Sequence, residues 1–382
     1  MKNAHVSLFL LLFLLAACDL GPTIPPSEKE DEKEEPVDAG SFVRGADLSY
    51  VNEMVDCGAV YQDLNGQTND PYAIFEEAGA DIVRVRLWHD ATWTAYSDFE
   101  DVKQTIQAAQ DKGMQVLLDF HYSDNWADPG KQDVPAAWLG VVDNLPALGD
   151  SLYNYTYQVL QHLDQAGLLP EMVQVGNEIN IEILQDPNQS YGQINWNRNA
   201  ALIQRGLAAV RKAEQDFGQE IAVMLHIAQP ENALWWFEQA TQNGITDYDW
   251  IGLSYYPIWS TYSLTNLSTA VATLKDTYKK RVMVVETAYP YTLEDTDSAN
   301  NILGSDALVP GYPATQEGQY LFLKALEEAL LEGGAEGLIY WEPAWVSTSC
   351  STQWAQGSHW DNATLFDHSK QATTGMQYFS GE

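Results

Sequence analysis

Residues 172–178 read Met-Val-Gln-Val-Gly-Asn-Glu, a short apolar segment that runs directly into Gly, Asn and Glu. A segment of this length and composition is typical of a parallel strand that is covered on both faces. Seven further segments of the same kind occur between residues 42 and 341. The eight predicted strands are Phe42–Asp47, Ile82–Trp88, Val116–His121, Met172–Asn177, Ile221–His226, Trp250–Tyr255, Val282–Glu286 and Gly337–Trp341.

Amphipathic segments separate these strands. In Phe99–Lys112, apolar residues recur on one helical face, and four other segments have a similar pattern. Strands that alternate with helices predict an α/β fold, a single (β/α)8 TIM barrel. The alternative is a doubly wound open sheet, but no Gly-rich phosphate loop follows the first strand, which disfavours a nucleotide-binding version. The other predicted helices are Asp150–Gln165, Asn199–Phe217, Leu267–Tyr278 and Gln316–Glu332.

The N-terminal residues predict export. Lys2 precedes an apolar run over 6–17 that is too short to span a bilayer, and small residues lie before Cys18, as in the bacterial lipoprotein processing site. We therefore expect a signal peptide over 1–17, a lipidated Cys18 that is the protein's membrane anchor at the periplasmic or cell surface, and a disordered, acidic, Pro-rich tether over 18–40. The folded domain is expected over 41–382. Ordinary cleavage nearby, with an unmodified Cys18, is the alternative.

The charge balance limits which classes of ligand the protein can bind. The chain has 19 basic and 54 acidic residues, a net charge of −35, which argues against nucleic acid or anionic lipid headgroups as ligands. Thirteen Trp residues are typical of a sugar-binding cleft, although any single Trp is as readily explained as part of the core. We expect a neutral substrate and a monomeric protein.

Polar side chains stand at the ends of the predicted strands. In a (β/α)8 barrel the active site lies at the carboxyl ends of the strands. A single polar residue at the end of an apolar strand could belong to a structural ion pair. Polar or aromatic residues at six strand ends are not explained in that way and indicate a functional site. The candidate site residues found in this way are Arg86, His121, Asn177, Glu178, Tyr255, Glu286 and Trp341.

Two of these residues, Glu178 and Glu286, suit glycoside hydrolysis. That reaction needs one protonated carboxyl that donates to the leaving oxygen and one ionised carboxylate on the other side of the bond. We expect Tyr255 and Arg86 to keep Glu286 ionised, since hydrogen bonds and a nearby cation lower the pKa of a carboxyl group. Burial and the charge of Glu286 would then raise the pKa of Glu178, which would hold the proton. Asn177 is expected to bind a sugar 2-hydroxyl.

Longer motifs around these residues carry a family resemblance. They are residues 45–49 (Gly-Ala-Asp-Leu-Ser), 83–88 (Val-Arg-Val-Arg-Leu-Trp), 118–129, 173–180 and 337–345 (Gly-Leu-Ile-Tyr-Trp-Glu-Pro-Ala-Trp). With them the chain resembles glycoside hydrolase family 53, the endo-β-1,4-galactanases, over about residues 42–370. The resemblance implies retaining endo-hydrolysis of the β-1,4-galactan of type I arabinogalactan, with no cofactor needed for the chemistry.

The same resemblance implies roles for individual residues. Glu178 falls on the acid/base and Glu286 on the nucleophile. Asp124 and Trp126, in the loop after the third strand, are expected to touch sugar, with loop packing as the alternative. The residues expected to line the point of cleavage are Arg86, His121, Asn177, Tyr255 and Trp341.

Two other functions remain open at this point. A retaining enzyme of the same clan that acts on xylan, mannan or a β-glucan would carry the same two glutamates. A non-catalytic glycan-binding lipoprotein on the same barrel is the third reading, although both glutamates are present.

Two structural features are also expected. Some relatives bind calcium in the loop after strand seven, where this chain has the oxygen donors Asp295, Asp297 and Asn301. Ala299 stands where calcium-binding relatives have a His, so the alternative is a solvated acidic loop. Cys57 follows strand one and Cys350 follows strand eight. Because these strands are neighbours in a closed barrel, both cysteines are expected at the same rim, where either a disulfide between them or two free thiols would fit.

Overall fold

The computed structural model describes residues 42–381, and these form the predicted barrel. Eight parallel strands pair in chain order, and β1 also pairs with β8, which closes the sheet. The TIM-barrel prediction is therefore confirmed, with strand bounds that differ by a few residues. The strands are β1 Val43–Asp47, β2 Ile82–Leu87, β3 Gln115–Phe120, β4 Met172–Val175, β5 Ala222–Ala228, β6 Trp250–Ser254, β7 Arg281–Glu286 and β8 Gly337–Tyr340.

Eight α-helices surround the sheet in the described part of the chain. All five predicted helices are present, and several begin at a capping side chain, such as Asp98 before α3 and Asn144 before α4. The prediction missed α1 and α2, which are short, and α6, which is as long as α3. The helices are α1 Val51–Asp56, α2 Pro71–Ala78, α3 Phe99–Asp111, α4 Leu145–Ala166, α5 Trp196–Phe217, α6 Pro230–Gln242, α7 Leu264–Tyr278 and α8 Gln316–Gly333.

The interior of the barrel has an apolar floor. One buried cluster draws its side chains from β2 to β8, each at an inward-facing position. β1 contributes Gly45, where a Cβ atom would lie 2.5 Å from Ile82 Cγ2 and 2.9 Å from Ile339 Cγ1, so only glycine leaves room for its neighbours. The floor consists of Ile82, Leu117, Met172, Met224, Trp250, Met283, Val285 and Ile339.

A buried polar layer lies directly above this floor. Because inward-facing positions recur every second residue, the next such residue is two positions further along, and on the five strands β1 to β5 it is polar. On β6 the polar residue is Ser254, four positions beyond Trp250. On β7 the register shifts opposite Leu253 and Ser254, and this extra residue brings Glu286 into register with Ser254. We call this set the polar layer; it comprises Asp47, Arg84, Asp119, Gln174, His226, Ser254 and Glu286, all buried.

The expected export features fall outside this domain. The signal peptide, Cys18 and the tether lie outside the described residues. Within residues 42–381, no helix has both the length and the apolar character that crossing a bilayer requires.

A disulfide joins the two sides of the barrel seam. The structure pairs Cys57, which ends α1, with Cys350 in the loop after β8, and their Cα atoms are 5.7 Å apart. The two residues are 293 positions apart in sequence. The bond therefore tethers the loop that follows the last strand to the helix that follows the first.

We expect the double variant Cys57→Ser, Cys350→Ser to unfold at a temperature several degrees lower than the parent protein. Removing a native disulfide commonly costs about 2–5 kcal/mol of unfolding free energy, because the unfolded chain gains freedom. Thermal unfolding followed by circular dichroism measures the change. Equal midpoints for the variant and the oxidised parent would show that the cross-link does not stabilise the fold.

Candidate active site

Arg84 is the centre of the polar layer. Its side chain is 1% exposed, and its Nη1 lies 2.8 Å from Asp47 Oδ2 and 2.8 Å from Glu286 Oε1. Nη2 contacts Asp119 Oδ2 at 2.8 Å and Asn177 Oδ1 at 2.7 Å. One guanidinium thus holds side chains from β1, β3, β7 and the segment after β4. Such a buried cation is stable only because its donors are so fully paired.

Glu178 stands two residues beyond Gly176, in the segment that leaves β4. Its φ is +45°, a left-handed conformation that costs a non-glycine residue about 1 kcal/mol. Gln132 Nε2 holds this turn by donating to the carbonyl oxygens of Asn177 at 2.8 Å and of Glu178 at 3.2 Å. The turn lifts the Glu178 side chain above the polar layer, where it lines the cleft.

The two glutamates have different electrostatic surroundings. Burial raises the pKa of Glu178 to about 7, against the hydrogen bond from Ser254 and the charge of Arg84. Burial and the charge of Glu178 also raise the pKa of Glu286, and Arg84 opposes this rise. Only Glu286 makes a direct ion pair with the guanidinium, so a single negative charge shared by the pair belongs on Glu286. Glu178, whose pKa is about 7, then holds the proton up to about neutral pH.

The cleft around these carboxyls has two lobes. Both lobes are lined by Glu178, Glu286, Ile302 and Trp341, so the glutamates lie where the lobes meet. Aromatic faces dominate each lobe, as in sites that stack sugar rings. The first lobe has Trp126, Trp345, Trp354 and His359, and the second has Tyr256, Trp259 and Trp360.

Four further predicted residues lie where expected, along the first lobe: His121, Asn177, Trp126 and Trp341. His121 Nδ1 accepts from Trp88 Nε1 at 3.2 Å, so its Nε2–H faces Asp119 Oδ2 at 3.1 Å. Two hydrogen bonds orient Asn177: its Oδ1 accepts from Arg84 Nη2, and its Nδ2 donates to the Ala127 carbonyl at 2.9 Å.

The role expected of Arg86 belongs to Arg84. Arg86 lines the first lobe but pairs with the buried carboxylate of Glu342, not with Glu286. Its guanidinium also lies over the rings of Tyr50 at 4.2 Å and Trp126 at 4.6 Å. Both arginines face inward because they are two residues apart on β2. Arg84 lies deeper and level with Glu286, which is why Arg84 and not Arg86 pairs with this carboxylate.

The prediction for Tyr255 is also corrected by one residue. Ser254 faces the barrel interior, so the next side chain faces the helices, and the Tyr255 hydroxyl donates to the Tyr262 carbonyl at 3.1 Å. Tyr256 is the tyrosine that lines the cleft. Burial raises the pKa of Tyr256 well above its usual value, and the charges of Glu286 and Glu178 raise it further.

Asp124 holds loops together instead of lining the cleft. Its carboxylate accepts the backbone N–H of Asp90 at 3.0 Å and of Ala136 at 2.8 Å. Neither lobe has Asp124 among its lining residues. Asp124 therefore has a loop-packing role, and the expectation that it touches sugar is not supported.

The expected calcium ligands do not fit a metal site. Both oxygens of Asp297 accept backbone N–H groups, one of them from Ser358 at 2.8 Å, and Asn301 donates through Nδ2 to Asp361. Asp295 is exposed. Within the described residues, no group of three or more His, Cys, Asp or Glu side chains could hold a metal ion. Hydrogen bonds from the backbone therefore occupy both carboxylate oxygens of Asp297, while Asn301 Oδ1 is buried without a hydrogen-bond partner among the described residues.

Sequence reasoning missed most of the polar layer. Most of these side chains lie inside the strands, whereas the predicted site residues lie at the last one or two positions of each strand. A charged or amide residue at an inward position of an apolar strand was the available signal. The missed residues of the polar layer are Asp47, Arg84, Asp119, Gln174, His226 and Ser254; Tyr256 and Glu342, outside that layer, were missed as well.

Comparisons with known proteins agree with this geometry. The model of the family described as glycosyl hydrolase family 53 matches residues 43–379. An arabinogalactan endo-beta-1,4-galactanase of Cellvibrio japonicus is 55% identical over 331 residues, which is 86% of this chain and 88% of the relative. An endo-beta-1,4-galactanase of Bacillus subtilis is 33% identical, covering 88% and 85%. The solved Ignisphaera aggregans GH53 catalytic domain superposes with a TM-score of 0.80 at 33% identity, covering 89% and 95%.

The two neighbouring tyrosines give a matched pair of variants. We expect Tyr256→Phe to lower hydrolytic kcat/KM by about tenfold or more, since Tyr256 lines the cleft together with both glutamates and a hydrogen bond to a charged group contributes about 1.5–3 kcal/mol. Tyr255→Phe loses only its bond to the Tyr262 carbonyl, so we expect slightly lower stability and near-parent kinetics. Steady-state kinetics and thermal unfolding of both variants test this. The opposite ranking would return the role to Tyr255.

Proposed function

Because this chain belongs to glycosyl hydrolase family 53, we propose that it hydrolyses internal β-1,4-galactosidic bonds of type I arabinogalactan by a retaining double displacement. The observation that carries the catalytic assignment is the unequal pairing of the two glutamates, since Arg84 contacts Glu286 and not Glu178. The galactanases of Cellvibrio japonicus and Bacillus subtilis support the substrate.

In the first step, Glu178 acts as general acid and Glu286 as nucleophile. The Glu286 carboxylate attacks the anomeric carbon while the proton of Glu178 passes to the glycosidic oxygen. The carbon–oxygen bond breaks, one part of the polysaccharide leaves as an alcohol, and the other stays as a galactosyl ester of Glu286. Arg84 keeps Glu286 in its ionised, attacking form and fixes its direction.

In the second step, Glu178 has lost its proton and acts as general base. It takes a proton from a water molecule, which attacks the anomeric carbon and breaks the ester to Glu286. The product keeps the β configuration, and both carboxyls return to their starting states. The scheme uses only side chains of this chain.

The shape of the cleft suits cleavage within a polysaccharide. The glutamates lie where two aromatic lobes meet, so sugar rings have stacking surfaces on both sides of the bond that breaks. The excess of acidic residues favours a neutral polysaccharide over an anionic one. Since all of these residues belong to one chain, we propose that the protein acts as a monomer.

A polysaccharide panel tests the substrate. We expect rapid release of short oligosaccharides from pectic β-1,4-galactan and little from xylan, mannan or β-glucan at equal mass. Chromatographic sizing of products at early times separates internal cleavage from stepwise release at one end. Faster cleavage of xylan or mannan would replace the substrate and keep the catalytic pair. Binding of galactan without any new reducing ends would favour the non-catalytic reading.

The glutamate variants test the catalytic roles. We expect Glu286→Ala to reduce turnover of every substrate to background. Glu178→Ala should lose about 10²–10⁴-fold on galactan, which needs protonation of its leaving group. It should keep much of its first-step rate on a 2,4-dinitrophenyl galactobioside, whose leaving group needs none. Circular dichroism of both variants controls for folding. Activity of Glu286→Ala near that of the parent would exclude Glu286 as the nucleophile.

We also propose that the protein is exported and anchored through a lipid on Cys18, a residue outside the described part of the chain. The proposal rests on the apolar run over 6–17 and on the small residues before Cys18. When the full chain is expressed in bacteria, we expect radiolabelled palmitate to enter the parent and not Cys18→Ala. The variant should also leave the membrane fraction. Equal labelling of both proteins would contradict the anchor.

A further inference from the structure

A chain of hydrogen bonds leads from Glu178 into the polar layer. The Ser254 hydroxyl donates to Glu178 Oε1 at 2.6 Å, and His226 Nε2 lies 2.9 Å from Ser254 Oγ. Ser254 and His226 are both fully buried, at 0% exposure. Ser254 belongs to β6 and His226 to β5, so the sheet holds both of these residues in place.

The direction of each bond follows from the donors around His226. Burial and the positive charge of Arg84 lower the pKa of His226 well below its usual value, so the ring is neutral and carries one N–H. Its Nδ1 lies 3.1 Å from Gln174 Nε2 and 3.4 Å from the backbone N–H of Glu178, two groups that donate. Nδ1 is therefore the acceptor, and the proton is on Nε2, facing Ser254.

The other tautomer fits these contacts less well. A proton on Nδ1 would find one acceptor, Asn177 Oδ1 at 3.0 Å, which already accepts from Arg84 at 2.7 Å. It would also point at two donors. Ser254 would then have to give its only proton to His226 Nε2, and the donor in the 2.6 Å contact would have to be the acid proton of Glu178 itself, which would then be held by Ser254 and not by the leaving oxygen.

With Nε2 protonated, Ser254 has one arrangement. Its oxygen accepts from His226, and its proton goes to Glu178 Oε1. Among the hydrogen bonds of residues 42–381, these are the two partners of the Ser254 hydroxyl. A proton on Glu178 Oε1 would meet the Ser254 proton head-on, so the acid proton is restricted to the other oxygen, Oε2.

Resting on the proposed function, we propose that Ser254 and His226 are positioning residues that confine the catalytic proton of Glu178 to Oε2, the oxygen left free to face the glycosidic bond. His226 orients Ser254, and Ser254 orients Glu178, while neither touches the substrate. The same bond stabilises the ionised carboxylate, so it also keeps the pKa of Glu178 from rising further. Ser254 therefore serves both steps, as a guide for the acid and as a stabiliser of the base.

The proposal predicts a dependence on the leaving group. In Ser254→Ala, the proton is free to occupy either oxygen and the Glu178 side chain loses an anchor. We expect kcat/KM on β-1,4-galactan to fall by about 10- to 100-fold, within the range of general acid catalysis. On a 2,4-dinitrophenyl galactobioside, whose departure needs no proton, we expect a change below about threefold.

The pH profile gives an independent measurement. Glu178 must be protonated in the first step, so kcat/KM on galactan is lost as the pH rises through its pKa of about 7. Because the Ser254 hydrogen bond lowers this pKa, Ser254→Ala should move the alkaline limb to higher pH. Ser97→Ala is the matched control, since the Ser97 hydroxyl is buried and has no hydrogen-bond partner among the described residues. It should change neither the limb nor the ratio between the two substrates.

His226→Gln provides a second variant in case Ser254→Ala does not fold. Its amide retains a donor toward Ser254, so we expect a smaller loss on galactan than in His226→Leu, again with little change on the activated substrate. Equal losses on both substrates with an unmoved alkaline limb would overturn the proposal and leave Ser254 a structural role. A parent protein that does not cut galactan would instead contradict the proposed function.

Discussion

The pairing of one buried guanidinium with three carboxylates organises this molecule. Arg84 contacts Asp47, Asp119 and Glu286, so it links strands that are far apart in the chain. Burying a charge costs several kcal/mol unless its partners are fixed in good geometry, and here the sheet fixes all of them. The apolar floor beneath keeps water away from the group. The catalytic end of the barrel is therefore a rigid ionic layer built on a hydrophobic one.

The two catalytic carboxyls differ because they are held differently. Glu286 ends a strand, is 7% exposed and is paired directly with a cation. Glu178 lies beyond its strand, in a left-handed turn, and its nearest donor is the neutral hydroxyl of Ser254. A neutral hydroxyl can hydrogen-bond a carboxyl group while favouring its ionised form only weakly, whereas a guanidinium strongly favours the ionised form. This contrast lets identical side chains perform opposite tasks at the same pH.

The sequence predicted the barrel well because parallel strands are apolar on both faces and stand out from amphipathic helices. It predicted Glu178, Glu286 and much of the first lobe for a similar reason, since polar groups after apolar strands are conspicuous. Two residues were assigned wrongly. Arg86 faces the barrel interior but lies two residues above Arg84, which pairs with Glu286, and Tyr255 faces the helices whereas the next residue, Tyr256, lines the cleft. Strand phase depends on the register shift in β7 and on where β6 ends, and neither is visible in one sequence. The pairing of Arg84 with three carboxylates could not be predicted either, because Asp47, Asp119 and Glu286 come together only when the sheet closes.

The Cys57–Cys350 bond has a consequence for how the protein is made. The two cysteines lie 293 residues apart, so the first leaves the ribosome long before its partner exists. The seam between β1 and β8 is subject to the same delay, since β1 pairs on one side with a strand near the other end of the domain. Throughout synthesis, the sulfur of Cys57 and one edge of β1 wait without their native partners. The barrel can therefore close only when the last strand is available, and until then the Cys57 thiol and one edge of β1 lack their native partners.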